Sequence, residues 1–162
     1  MEQNLGENMN ADNTMMSLIN FGHKVGEPFI SAMVVDGRIE FRGRAMSPRE
    51  HAETQVLDYI VDNLFTFKSI QELNIYCTGE PCGKCMSDIL WTVPLLPEVI
   101  NVNIVYAVDR DTLTQIGSDY QTVKASDVLK NFNLQGVKVS LVEHIKKNEA
   151  INLFKRYQDK VK

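Results

Sequence analysis

Two short segments constrain this chain more than anything else in it: His51-Ala52-Glu53 and Pro81-Cys82-Gly83-Lys84-Cys85. One imidazole and two thiols form a ligand set for zinc, and three protein ligands leave the fourth tetrahedral position open. A Cys-x-x-Cys alone could be a redox pair, and His-Ala-Glu alone is common by chance. In this order, and each at a helix start, they demand a fold that brings two distant segments to one point. The competing arrangement is a closed structural zinc with Cys77 as the fourth ligand. Cys77 lies in an apolar strand pattern, where it reads as a small buried hydrophobe.

The local sequence suggests how the two segments converge. Ser47-Pro48-Arg49-Glu50 has the form of a capping box with proline at the first helical position. It predicts a helix running to about Leu64, with His51 and Glu53 in its first two turns. Helical side chains lean toward the N-terminus, so both residues can approach one point beyond that end. Leu73-Asn74-Ile75-Tyr76-Cys77 alternates as a buried strand, and Thr78 to Pro81 breaks it. A second helix follows, with Cys82, Cys85, Met86, Ile89 and Leu90 at core-facing spacing. Its first turn carries both cysteines, where the helix dipole favours thiolate.

The rest of the chain sets bounds. Its 162 residues suit one domain with a real core. Three cysteines, two of them in a metal motif, argue against a disulfide scaffold. No secretory pattern and no apolar stretch of bilayer length is read, so a cytoplasmic enzyme without a membrane partner is expected. A net charge of −4 disfavours a general nucleic-acid binder. Residues 1–13 are polar and expected to be a flexible segment, with a single zinc domain over 14–162. A first helix is expected over Thr14 to Lys24. Strands over Phe29 to Val35 and Arg38 to Arg42 are joined by Asp36-Gly37, a strong hairpin signal. Thr92 to Glu98 reads as a loop, Val99 to Val108 as a strand and Asp111 to Ile116 as a short helix. Lys138 to Val142 reads as the last strand, before a helix over Lys147 to Lys160. Helices alternating with the later strands imply a sheet with parallel pairs and helices on both faces.

His-x-Glu followed by Pro-Cys-x-x-Cys is the signature of zinc-dependent nucleobase deaminases. The chain from Phe29 onward resembles the cytidine deaminase-like superfamily in motif and element order. That resemblance implies an α/β class, a three-layer α/β/α fold with a mixed five-stranded sheet. It implies Zn2+ held by His51, Cys82 and Cys85, with Glu53 moving the proton in the hydrolysis of an amine to a carbonyl. A histidine first ligand and Glu80-Pro81-Cys82 resemble the guanine deaminase and tRNA adenosine deaminase branch. Cys85 to Trp91, Ile116 to Asp119 and Ala150 to Phe154 each resemble guanine deaminase segments. By that resemblance Phe29, Ala52, Trp91 and Asp119 contact substrate, and the protein is a homodimer with its C-terminal segment covering the partner's site.

Departures bear on the substrate. The family's Pro-Phe-Gly-Ala is Pro28-Phe29-Ile30-Ser31 here, and its substrate-holding asparagine falls on Ala45. Arg44 is the nearest stand-in by sequence. Residues around Thr92 to Ile100 look inserted. The expected substrate is a small nucleobase or nucleoside, guanine first. The alternatives are a cytosine or adenine compound, a nucleotide or tRNA adenosine, and a non-enzymatic zinc domain. The lysines and arginine of 146–162 are interspersed with Glu149 and Asp159 and read as a solvated face, with tRNA not excluded.

Overall fold

Asp36 and Gly37 adopt φ of 49° and 73°, the left-handed pair that a two-residue hairpin requires. They join strand β1 (Ile30–Val35) to β2 (Arg38–Arg44), with Val35 opposite Arg38. The structure, a computed structural model, describes residues 10–67, 70–96 and 98–161. On its other side β1 pairs antiparallel with β3 (Glu72–Gly79). β3 runs parallel to β4 (Asn101–Val108), and β4 parallel to β5 (Lys138–Val142). The order β2-β1-β3-β4-β5 is the mixed five-stranded sheet expected.

Strand periodicity divides the core in two. Ile30, Ala32 and Val34 of β1, with Tyr76 and Val105, face α1 (Ala11–Val25) and α6 (Lys147–Val161). Met33, Val35, Ile75 and Ile104 face the other way. That side is covered by α2 (Ala52–Asp62), α3 (Gly83–Thr92) and α5 (Ala125–Lys130), while Leu113 of α4 (Arg110–Gln115) packs with the α1 side. The sheet is therefore the middle of three layers. Every residue of β1 is buried, as two covered faces require.

Several boundaries differ from the sequence expectation. Helix α1 begins at Ala11, because the Asn10 side chain accepts from the Asn13 N–H at 2.9 Å and caps it. Residues 1–9 of the expected flexible segment lie outside the described residues. Ser47 does not cap α2. Its hydroxyl accepts from the Arg49 and Glu50 N–H groups at 3.2 and 3.0 Å, closing a separate turn. The helix starts at Ala52 with extended His51 as its N-cap, and ends at Asp62 rather than Leu64. β3 continues through Gly79, because Thr78 Oγ1 accepts from Ile30 N–H at 3.0 Å and donates to the Pro28 carbonyl at 2.5 Å. Val93–Leu95 forms a 3₁₀ turn within the expected loop. Helix α5 was not expected; six residues are too few for a periodic apolar pattern to register.

Gly43 sets how closely α2 approaches β2. A Cβ there would meet the Ala52 carbonyl oxygen at 2.4 Å and the Gln55 Cβ at 3.1 Å. Gly43→Ala is expected to destabilise by about 1–3 kcal/mol through overpacking against backbone. A thermal melt should show Tm lower by about 3–10 °C. An unchanged Tm would show that α2 is free to shift away from the sheet.

Candidate active site

Two helix starts meet at one place. His51 is the N-cap of α2 and Cys82 the N-cap of α3, both on the same face of the sheet. Cys85 is in the first turn of α3, and its N–H lies 3.4 Å from the Cys82 sulfur. The His51 Nδ1 stands 3.2 Å from Cys85 Sγ and 3.5 Å from Cys82 Sγ. All three ligand atoms lie within 4.8 Å of one another. A tetrahedron with metal–nitrogen near 2.0 Å and metal–sulfur near 2.3 Å has N···S edges of about 3.5 Å, so the donor set fits zinc.

The imidazole is oriented from behind. Its Nε2 lies 2.9 Å from the Pro48 carbonyl oxygen, which accepts Nε2–H. The Nδ1 lone pair is thereby left facing the sulfurs, the arrangement in which an outer acceptor fixes a ligand's tautomer. The Ser47 turn that presents this carbonyl is the structural use of the Ser-Pro-Arg-Glu segment.

The two thiols are coupled. The Cys82 thiol is lowered to about 5, chiefly because it accepts a hydrogen bond from Cys85. Cys85 is raised, chiefly by that same bond, so the metal-free pair shares one proton. Cys77 is buried and its thiol is pushed well up by that burial; Ser31 Oγ lies 3.4 Å from its sulfur. Cys77 is not part of the group whose ligand atoms converge.

A cavity of about 630 Å³ opens on this group. It lies beyond the C-terminal ends of β3 and β4, the usual place for a ligand in such sheets. Glu53 lines it, 7% exposed, and burial pushes its carboxyl up. Phe29 lines it and packs edge-on against Phe154 at 4.9 Å. Asp119 also lines it, but its carboxylate is committed: Oδ2 pairs with Arg110 and Oδ1 accepts from Gln121 N–H at 3.0 Å. Two expected residues, Ala52 and Trp91, are not among the lining residues. Ala52 is buried between His51 and Glu53, which do line the cavity, with its carbonyl toward Gly43. Trp91 sits in the last turn of α3, 72% exposed against Phe132, while the cavity is at that helix's first turn. Arg44 is exposed on β2 and does not line the cavity.

Sequence reasoning missed a buried network. Glu80, 4% exposed, accepts from Arg110 N–H at 2.5 Å and Ala125 N–H at 2.7 Å, satisfying the first turns of α4 and α5 together. The Arg110 guanidinium, 1% exposed, donates to the Glu80 carbonyl and to Asp119. Gln158 of α6 donates to the Ile116 carbonyl at 2.6 Å and to Ser118 Oγ at 2.8 Å, so the C-terminal helix braces the cavity wall of its own chain. Glu80 and the Ile116 to Asp119 stretch had sequence signals; Arg110 and Gln158 had none.

Comparison with protein-family models gives no match, and comparison with curated proteins gives none. Solved structures do match. One is a guanine deaminase from Nitrosomonas europaea, 16% identical, with a TM-score of 0.70 over 93% of this chain and 85% of that one. Another is an asparagine-to-alanine variant of NE0047 in complex with 8-azaguanine, 19% identical, with a TM-score of 0.71 over 96% and 87%. A third is a diaminohydroxyphosphoribosylaminopyrimidine deaminase/5-amino-6-(5-phosphoribosylamino)uracil reductase from Thermotoga maritima, 20% identical, with a TM-score of 0.56 over 93% and 41%. The chain has the cytidine deaminase-like fold.

The shared proton gives a direct readout. In reduced, metal-free protein, a thiol lowered to about 5 is thiolate above that pH and protonated below it. Alkylation of Cys82 by iodoacetamide should therefore proceed at pH 7 and lose half its rate near that lowered value. A midpoint near the free-thiol value of about 8.5 would contradict this coupling.

Proposed function

We propose that this protein is a zinc-dependent hydrolytic deaminase of a nucleobase or nucleoside, guanine first among the substrates. The observation that carries the reading is Glu53, a buried carboxyl lining the same cavity as a converged His51, Cys82 and Cys85. A structural zinc has no need of a buried proton-transfer group beside an open face. The fold shared with guanine deaminase and with the bifunctional deaminase/reductase supports the same reading.

His51, Cys82 and Cys85 would hold the zinc, which lowers the pKa of a water in the open position toward neutral when bound. Both thiols would have to be thiolates to hold it, so loading would release the proton they share. Glu53 accepts a proton from the water and returns it to the substrate, first at the ring nitrogen and then at the departing amine. Burial pushes its carboxyl up, the direction that suits a group which must both take and give a proton. The sum is an aromatic amine plus water giving a carbonyl plus ammonia. Phe29 supplies an apolar wall for a planar base, and Asp119 shapes the wall through Arg110.

The tRNA alternative is less well supported. It needs a basic surface for phosphates. Lys146 pairs with Asp12 and Glu149, and Lys147 with Asp109. A homodimer remains part of the proposal: Trp91, Leu95 and Ile100 give exposed apolar area for a partner copy, which sedimentation tests. No helix among the described residues is long and apolar enough to cross a membrane. Reduced cysteines in the metal group fit a cytoplasmic setting.

Zinc-loaded protein should release ammonia from guanine and form xanthine. Glu53→Gln keeps size and burial but cannot shuttle a proton, so turnover should fall by on the order of a hundredfold or more with zinc still bound. Turnover close to wild type would remove Glu53 from the mechanism. Turnover of a cytosine or adenine compound, but not guanine, would change the substrate and leave the mechanism intact. Cys77→Ser should keep one zinc per chain; loss of zinc would favour the closed structural site.

A further inference from the structure

The cavity is lined by four carboxylates, Glu27, Glu53, Glu80 and Asp119. Three have assigned tasks. Glu80 satisfies two helix starts with its two oxygens, Asp119 is divided between Arg110 and Gln121, and Glu53 lies beside His51, Cys82 and Cys85. Glu27 differs. Its Oε1 accepts from the Phe29 N–H at 3.0 Å, and its Oε2 has no hydrogen bond among the described residues. The residue is half-buried in the turn between α1 and β1. Ala45, whose N–H donates to the Phe29 carbonyl at 3.1 Å, and Met46 also line the cavity and carry no hydrogen-bonding side-chain group.

We infer that Glu27 is a specificity-determining residue: its free oxygen accepts a hydrogen bond from a ring N–H of the substrate. The inference rests on the deaminase reading. An ionised carboxylate is an acceptor only, so it selects a donor edge and rejects a carbonyl edge. A free heterocyclic base carries such an N–H at the nitrogen that bears the sugar in a nucleoside. Glycosylation removes that donor and leaves the oxygen facing carbon. A nucleotide adds a phosphate, which the carboxylate repels. Arg44, the cation whose charge acts on Glu27, is not part of the cavity lining and offers a phosphate no partner within it.

Glu27→Gln isolates the effect. Glutamine keeps an acceptor for the Phe29 N–H but places an NH₂ where Oε2 stood, setting donor against donor. The experiment measures ammonia release by zinc-loaded protein from guanine, adenine and cytosine, each with its N-methylated base, nucleoside and 5′-nucleotide. For the base that is turned over, wild type should prefer the free form over its N-methyl and nucleoside forms by about a hundredfold or more in kcat/KM. Glu27→Gln should raise KM for the base about ten- to a hundredfold, the worth of one charged hydrogen bond, with kcat nearly unchanged. It should also narrow the gap between base and nucleoside. A role confined to holding the Phe29 backbone would leave KM unmoved in this variant. Equal or better turnover of the nucleoside by wild type would overturn the inference, and that comparison needs no variant. Calorimetry separates the two proposals: a base that binds through Glu27 without ammonia release keeps the recognition and sinks the deaminase reading.

Discussion

The hydrogen bond from His51 Nε2 to the Pro48 carbonyl is the small contact on which the site depends. Without it the imidazole can rotate and present either nitrogen. With it, Nδ1 points at two sulfurs whose own positions follow from the cap and first turn of α3. Helices α2 and α3 lie side by side over one face of the sheet, and both begin at the same edge. Gly43 permits the close approach that holds α2 there, and β3 delivers Cys82 just past its C-terminal end. The metal group is thus a consequence of layer packing, completed by one turn that Ser47 closes.

That turn marks the limit of what the sequence disclosed. The His-x-Glu and Pro-Cys-x-x-Cys segments were legible as a converging group, because their chemistry is distinctive and their spacing is short. The hairpin at Asp36-Gly37 was legible, because few residues accept φ > 0. The capping box was misplaced: a serine that closes a free-standing turn and one that caps a helix have the same local sequence, and only tertiary contact decides between them. Trp91 was expected at substrate from likeness of segment, yet a helix of ten residues separates its two ends by about 15 Å. Arg110 gave no signal, since a charged residue in a short polar helix ordinarily faces solvent. Its burial comes from Glu80 and Asp119, which are far apart in the chain.

The charge pattern of the cavity links this network to selectivity. Arg110 is the buried cation facing the cavity carboxylates, and it is already paired. A buried arginine left without its partner would be costly, so the pair holds the Ser118 to Gln121 wall in place. Also on the lining are the Phe29 ring, the buried Glu53 carboxyl, Glu27 and the side chains of Ser47, Tyr120, Gln121 and Tyr157. Such a lining favours a small, neutral, planar heterocycle over a polyanion.

The proposed chemistry requires a three-ligand metal centre with an open position. X-ray absorption at the zinc edge of the loaded protein tests it most directly. Two sulfurs at about 2.3 Å and two nitrogen or oxygen atoms at about 2.0 Å, one of them exchangeable, are expected. Three sulfurs with a single light atom would place Cys77 in the shell, close the site and contradict the account.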